Sequence, residues 1–302
     1  MHEGSRRAVI AALLANASIA VAKFVGAAVT GSSAMLAEGI HSVADTTNQG
    51  MLLYGGSRAK RAPTPQHPFG YGRERYFWAF MVALVLFSLG GLFAAYEGLQ
   101  KLQHPHEVES PEWAIGILLV AIVIESLAVR VAIREANRIR GASGWVRFIR
   151  RSKNPEIPVI LLEDLGAISG LVLAISGISL TVITGEPRFD AMATFLIGLL
   201  LITIAVFLAL ELKSLLIGEA AGADDQVAIK NAIEGSVDVL RLIHMRTQHL
   251  GPDELLVAAK VEFAHDLSTK QLADAINAAE VRLREAVPTA RVVYLEPDLL
   301  LA

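Results

Sequence analysis

The sequence predicts an all-α bundle of six membrane-spanning helices followed by a small cytoplasmic α+β domain. Three observations carry that prediction. The 302 residues are 53% apolar with a mean hydropathy of +0.48, too apolar for an ordinary soluble domain. Six apolar segments stand out, at 7–30, 33–54, 75–99, 112–134, 157–184 and 190–217. Each meets the requirement of about 20 helical residues to cross about 30 Å of hydrocarbon. After Gly218 the composition changes, and residues 220–302 hold eight Lys and Arg against thirteen Asp and Glu.

The first segment follows Arg6 and Arg7 and has an alternative reading as a signal peptide. No clear small-residue cleavage site follows it, and the second segment begins almost at once, so a span is expected. The connections after segments two and four are rich in Arg and Lys, from Arg58 to Arg75 and from Arg134 to Lys153. The alternate connections are short or acidic: Gly31-Ser-Ser, Glu107 to Glu112, and Glu186-Pro-Arg188. The positive-inside rule then places both termini in the cytoplasm.

Within the tail, Asp224 and Asp225 are expected to cap a short helix reaching about residue 235. Residues 238–248 read as a strand. Leu255, Val257, Ala259, Val261 and Phe263 alternate with Lys260 and Glu262, the pattern of a half-buried strand. Gly251-Pro252-Asp253 marks the turn between them. Ser268-Thr-Lys-Gln271 is a capping box opening a helix, and Arg291 to Glu296 is a last strand. The order αββαβ predicts a ferredoxin-like layer with helices on one sheet face. The expected domains are 1–217, membrane, and 218–302, cytoplasmic.

The candidate chemistry lies in segment two. Glu38, His41, Asp45 and Asn48 are spaced i, i+3, i+7 and i+10, so a helix carries all four on one face. Ionisable groups at membrane depth are costly and face a bundle interior or an aqueous cavity. Segment five carries a second pair, Glu163 and Asp164, at a depth comparable with Asp45. Adjacent helical positions differ by about 100°, so the two are not expected to face one point. Packing the two helices together would gather His41, Asp45 and Asp164. One imidazole and two carboxylates suit a tetrahedral Zn2+ with an open position, and so oxygen-rich a set also accepts Mn2+, Fe2+ or Co2+. Glu163 is a further candidate donor, and Glu38 is a candidate for an outer or gating role. Asn48 and Asn16 are expected to be interhelical hydrogen bonders, and Lys23, Glu125, Arg130 and Lys213 to snorkel or pair structurally. The absence of cysteine excludes disulfides, thiolate sites and Cys nucleophiles. A net charge of −3 gives no reason to expect nucleic-acid binding. Nothing calls for an organic cofactor.

These residues resemble the cation diffusion facilitators. The likeness rests on the six-segment layout, His41-x-x-x-Asp45, Gly31-Ser-Ser-Ala-Met-Leu-Ala, His67-Pro-Phe-Gly-Tyr-Gly-Arg73, Leu216-Ile-Gly218-Glu219 and the αββαβ tail, and covers nearly the whole chain. It implies proton-coupled efflux of divalent cations, usually zinc, by homodimers joined through the tail in a plasma (inner) membrane. Protons are the counter-ion. The family's site takes two side chains from helix two and two from helix five. Here Ile160 stands where helix five supplies its other donor, and Leu161-Leu-Glu163-Asp164 resembles a divergent branch that includes the mitochondrial zinc exporter of animal cells. Of the family's loop metal pattern only His67 remains, beside Thr64 and Tyr71. In the tail the positions corresponding to ligands hold Ile243, Lys260, Tyr294 and Glu296, so a tail dimerising without the usual metal cluster is expected. His244, His249 and His265 are expected to be scattered surface residues.

Two other classes compete with a carrier. A membrane metallohydrolase would need a general base and a substrate groove, and no H-E-x-x-H motif is present. A non-transporting scaffold displaying the tail would bind no metal in detergent.

Overall fold

The computed structural model describes residues 3–105, 107–141 and 144–299, with side chains from residue 17 onward except that of residue 151. The side chains of Arg6, Arg7, Asn16 and Arg151 lie outside the described residues. The chain divides into two compact units. One takes the residues up to Gly55 with Trp78–Leu212, and the other takes Gly56–Phe77 with the residues from Lys213 onward.

The first unit is helical. Its helices are α1 (Glu3–Thr30), α2 (Ser33–Arg58), α3 (Glu74–Val85), α4 (Phe93–Gln103), α5 (Pro111–Arg140), α6 (Trp145–Arg151), α7 (Glu156–Thr184) and α8 (Arg188–Ile217). A π-helical stretch, Leu86–Leu92, joins α3 to α4 into one rod. Among the described residues four helices are long and apolar enough to cross a membrane: Glu74–Gln103, Pro111–Arg140, Glu156–Thr184 and Arg188–Ile217. The described apolar part of α1 is Ala17–Thr30. α2 has 26 residues, enough length to cross, and its polar stripe lowers its hydropathy. Apolar side chains face outward, as Val120, Val123, Leu127 and Val131 do on α5, which suits lipid rather than water. Inside, backbones approach closely. A Cβ at Gly98 would fall on the backbone of Phe195, and one at Gly198 on that of Ala95, so glycine lets α4 and α8 pack.

One end of this unit is held by a buried polar cluster. Gly31 takes φ +63 in the two-residue turn between α1 and α2, a conformation that favours glycine. The Asp190 carboxylate of α8 then accepts from Ser32 Oγ at 2.8 Å, from Ser33 N at 3.1 Å, from Ser33 Oγ at 3.2 Å and from Lys101 Nζ at 3.0 Å. Lys101 also donates to Gly31 O at 2.7 Å. The Gly-Ser-Ser run is therefore a helix start capped by a carboxylate from another helix.

The second unit holds α9 (Ala223–Glu234), β1 (Val239–Gly251), β2 (Glu254–Phe263), α10 (Thr269–Ala286) and β3 (Val292–Pro297). The strand order is β1-β2-β3, with β1 antiparallel and β3 parallel to β2. Leu255, Val257, Ala259, Val261 and Phe263 share a core with Ile229 and Ile233 of α9 and Ala279 and Leu283 of α10. The Ser268–Gln271 capping box is formed. Asp224 and Asp225 do not cap α9. Gly222 holds the cap position, and the two carboxylates lie in the first turn, where the helix dipole favours them. His249 is also not on the surface. β1 runs on to Gly251, and His249, 4% exposed, has its amide bonded to Glu219 O. The connection between α2 and α3 packs against this tail. Gly72 lies on the Leu250–Gly251 backbone, and Arg75 Nη1 is 2.9 Å from Asp253 Oδ2.

Candidate metal site

Helical periodicity sets the first half of the site. On α2, Asp45 lies one turn beyond His41, with His41 Nδ1 3.5 Å from Asp45 Oδ1. His41 is 1% exposed, and neither of its ring nitrogens finds a hydrogen-bond partner among the described residues. Asp45 Oδ1 is likewise buried without a hydrogen bond. Gly90, in the π-helical stretch, is the residue beside the imidazole, where a Cβ would lie 3.8 Å from Nδ1.

The second half comes from α7. Glu163 Oε1 accepts from Asn48 Nδ2 at 2.6 Å, an interhelical bond that draws α7 against α2. Its carboxyl and that of Asp45 line the same cavity. A cavity of about 140 Å3 opens here, and its walls include Ser42, Asp45, Glu125, Ile160, Glu163 and Asp164. Glu163 and Asp164 both reach it, although adjacent residues point about 100° apart. The cavity is lined from both directions.

His41 does not line the cavity and stands next to it through Asp45. No three His, Asp or Glu side chains among the described residues converge closely enough to enclose an ion. The groups are thus gathered around one space without being drawn onto one centre.

Two residues take roles that spacing did not reveal. Glu38 is fully buried and bound to Lys23, whose Nζ is 3.1 Å from Glu38 Oε2 and 2.8 Å from Ser42 Oγ. Gly170 of α7 leaves the room it needs, since a Cβ there would sit 2.5 Å from Glu38 Oε1. Glu38 therefore belongs to an ion pair behind the cavity. Glu125 of α5, expected to snorkel or pair structurally, is a wall of the cavity. Its position within the mostly apolar stretch 113–129 of α5 was the available signal.

Elsewhere, Thr64, His67 and Tyr71 form a tight turn in which the His67 and Tyr71 rings stack, centroids 4.6 Å apart. In the tail, Lys260 Nζ is 2.7 Å from Asp298 Oδ2 and 3.6 Å from Glu296 Oε1, and Arg241 pairs with Glu262. The Asp298 bond raises the Lys260 ammonium above its usual range and lowers the carboxyl.

A family model described as the cation efflux transmembrane domain matches residues 9–217. The chain belongs to the cation efflux family. It is 32% identical over 263 residues to the mouse proton-coupled zinc antiporter SLC30A9, mitochondrial, covering 86% of this chain and 46% of the relative. It is 30% identical over 261 residues to metal tolerance protein C4 of Arabidopsis thaliana, covering 86% and 57%. It is 24% identical over 267 residues to zinc transporter ZitB of Pectobacterium atrosepticum, covering 88% and 78%. The chain spans about half the length of the SLC30A9 relatives it matches.

Proposed function

We propose that this chain exports divalent metal cations, Zn2+ first among them, in exchange for protons. The observation that carries the reading is the cavity lined by α1, α2, α5 and α7, inside a membrane-type bundle, on which Asp45, Glu163 and Asp164 open. The proposed ion contacts are His41, Asp45 and Asp164, with Glu163 as an additional donor and Glu38 acting from behind through Lys23. A Zn2+ accepts imidazole nitrogen and carboxylate oxygen together, and the donor set also serves Mn2+, Fe2+ or Co2+. The names of the SLC30A9 and ZitB relatives favour zinc.

Proton coupling follows from charge. The carboxyls around the cavity carry more negative charge than one dication neutralises, so protons occupy some of them whenever the ion is absent. Binding needs neutral imidazole and ionised carboxylates, so it releases protons. Protons arriving from the opposite side then displace the metal. The donors are gathered but not converged, which suits a site completed by rocking of the helices during alternating access.

In this reading six spans form a transport domain, 1–217, with α1 and α2 joining the four longer apolar helices. Residues 218–302 form a cytoplasmic ferredoxin-like domain that joins two copies of the chain. The α9-β1-β2-α10-β3 order and the parallel β2–β3 pair support that architecture. Both termini are cytoplasmic, and the membrane is the plasma (inner) membrane. The SLC30A9 relatives are named mitochondrial, so a fluorescent fusion separates the two membranes.

Metal-dependent proton flux in proteoliposomes tests the function. Asp45→Ala and Asp164→Ala are each expected to abolish Zn2+-driven flux. Full rates in both would overturn the site.

A further inference from the structure

We infer that Glu125 of α5 supplies the donor that Ile160 withholds, so that the transport site is built from three helices. This rests on the proposed transport reading and adds a residue outside α2 and α7.

Glu125 and Ile160 line the same cavity, together with Asp45, Glu163 and Asp164. Ile160 is the α7 residue one turn before Asp164 and offers only hydrocarbon to the space. A carboxylate from α5 enters that space beside it. Two neighbouring polar groups are left for a ligand to satisfy. The deeply buried His41 imidazole and Asp45 Oδ1 have no hydrogen-bond partner among the described residues, and they stand 3.5 Å apart, Asp45 on the cavity wall and His41 next to it.

Snorkelling to a membrane surface would be the ordinary role of such a side chain. Helix geometry argues against it. α5 runs from Pro111 to Arg140, so Glu125 is about 20 Å from either end. No glutamate side chain spans that distance. Among the described residues it makes no hydrogen bond, unlike Glu163, which is held by Asn48. The Lys23 ammonium that acts on it is already bonded to Glu38 and Ser42, so this mid-span carboxylate is best balanced by a further cation within the cavity. The space, about 140 Å3, takes an ion with a few waters, since a water occupies about 30 Å3. Glu125 can therefore act on the ion directly or through one water.

α5 packs on both α7 and α1. A donor on α5 ties loading of the site to the seating of a helix that neither Asp45 nor Asp164 belongs to.

The test measures Zn2+ dependence of proton flux in proteoliposomes, and Zn2+ binding to the full chain in detergent. Removing outer-shell partners of a metal typically weakens it by about 10- to 100-fold, so Glu125→Gln should raise the Zn2+ KM by about tenfold or more. Glu125→Asp, which keeps the carboxylate, should fall between Gln and the parent. Adding Ile160→Asp to Glu125→Gln should bring the KM back towards the parent value, an outcome that a purely structural role for Glu125 does not produce. If Asp45→Ala abolishes flux while Glu125→Gln leaves KM and binding unchanged, the inference is wrong and the site stands. If Glu125→Gln misfolds and Ile160→Asp restores neither folding nor binding, Glu125 is structural and the inference is again wrong. If Asp45→Ala keeps full flux, the transport site itself fails and Glu125 falls with it.

Discussion

Two buried polar clusters in the helical unit have opposite character. Around Asp190, every hydrogen-bonding need is met: four donors reach one carboxylate, and Lys101 supplies the opposite charge. Around Asp45, carboxyls crowd one cavity, an imidazole lacks a hydrogen-bond partner among the described residues, and the nearby ammonium, Lys23, is bonded to Glu38 and Ser42. A saturated cluster fixes helix positions. An unsaturated one at membrane depth raises the energy of the bundle until something else binds there. The contrast explains how one unit can hold polar groups as a staple in one place and, in the proposed reading, as a place for a passenger ion in another.

The sharpest way to break this comparison is to remove one carboxylate from each cluster. Asp190→Ala strands the Lys101 ammonium in a buried site and should cost about 3–5 kcal/mol, read as a lower melting temperature in detergent or lipid. Asp45→Ala strands no buried cation, so its melting temperature should hold or rise while metal-driven flux stops. Equal losses of stability in the two variants would erase the distinction.

A smaller effect sharpens it. Ser33→Ala removes the hydroxyl that reaches Asp190 Oδ2 and Thr194 Oγ1 while leaving the backbone bond in place. Hydrogen bonds to charged groups contribute about 1.5–3 kcal/mol, so a loss near the lower figure is expected, with flux unchanged.

The smallest effect lies in the tail and depends on pH. Arg241, then His265, hold the Glu262 carboxyl below its ordinary value of 4.5. A carboxyl depressed in the folded state stabilises above its unfolded pKa, and that stability is lost as pH falls through the folded value. Arg241→Ala should therefore lower the melting temperature slightly at neutral pH and leave it unchanged in acid below the carboxylate range. A difference that persists in acid would assign the effect to packing of the Arg241 stem.

Much of the architecture was legible because it is local. Apolar runs of spanning length mark the helices, alternation marks β2, and Ser268-x-x-Gln271 marks the start of α10. Where expectation slipped, the cause was tertiary. His249 alternates like a surface residue but is covered at the strand end, and Asp224 and Asp225 sit just past a cap that Gly222 occupies.

The candidate site divides in the same way. A period of 3.6 residues is a property of the backbone, so the sequence by itself determined that His41 and Asp45 share a face. It also determined that Glu163 and Asp164 enter from another segment. Only the tertiary structure decided what those groups meet. Asn48 and Glu163 are 115 residues apart in the chain, yet they bond directly, and Lys23 reaches Glu38 across the α1–α2 turn. Glu125 joins the cavity from a third helix. Such pairings depend on how separate helices rotate and pack, and no local spacing encodes that.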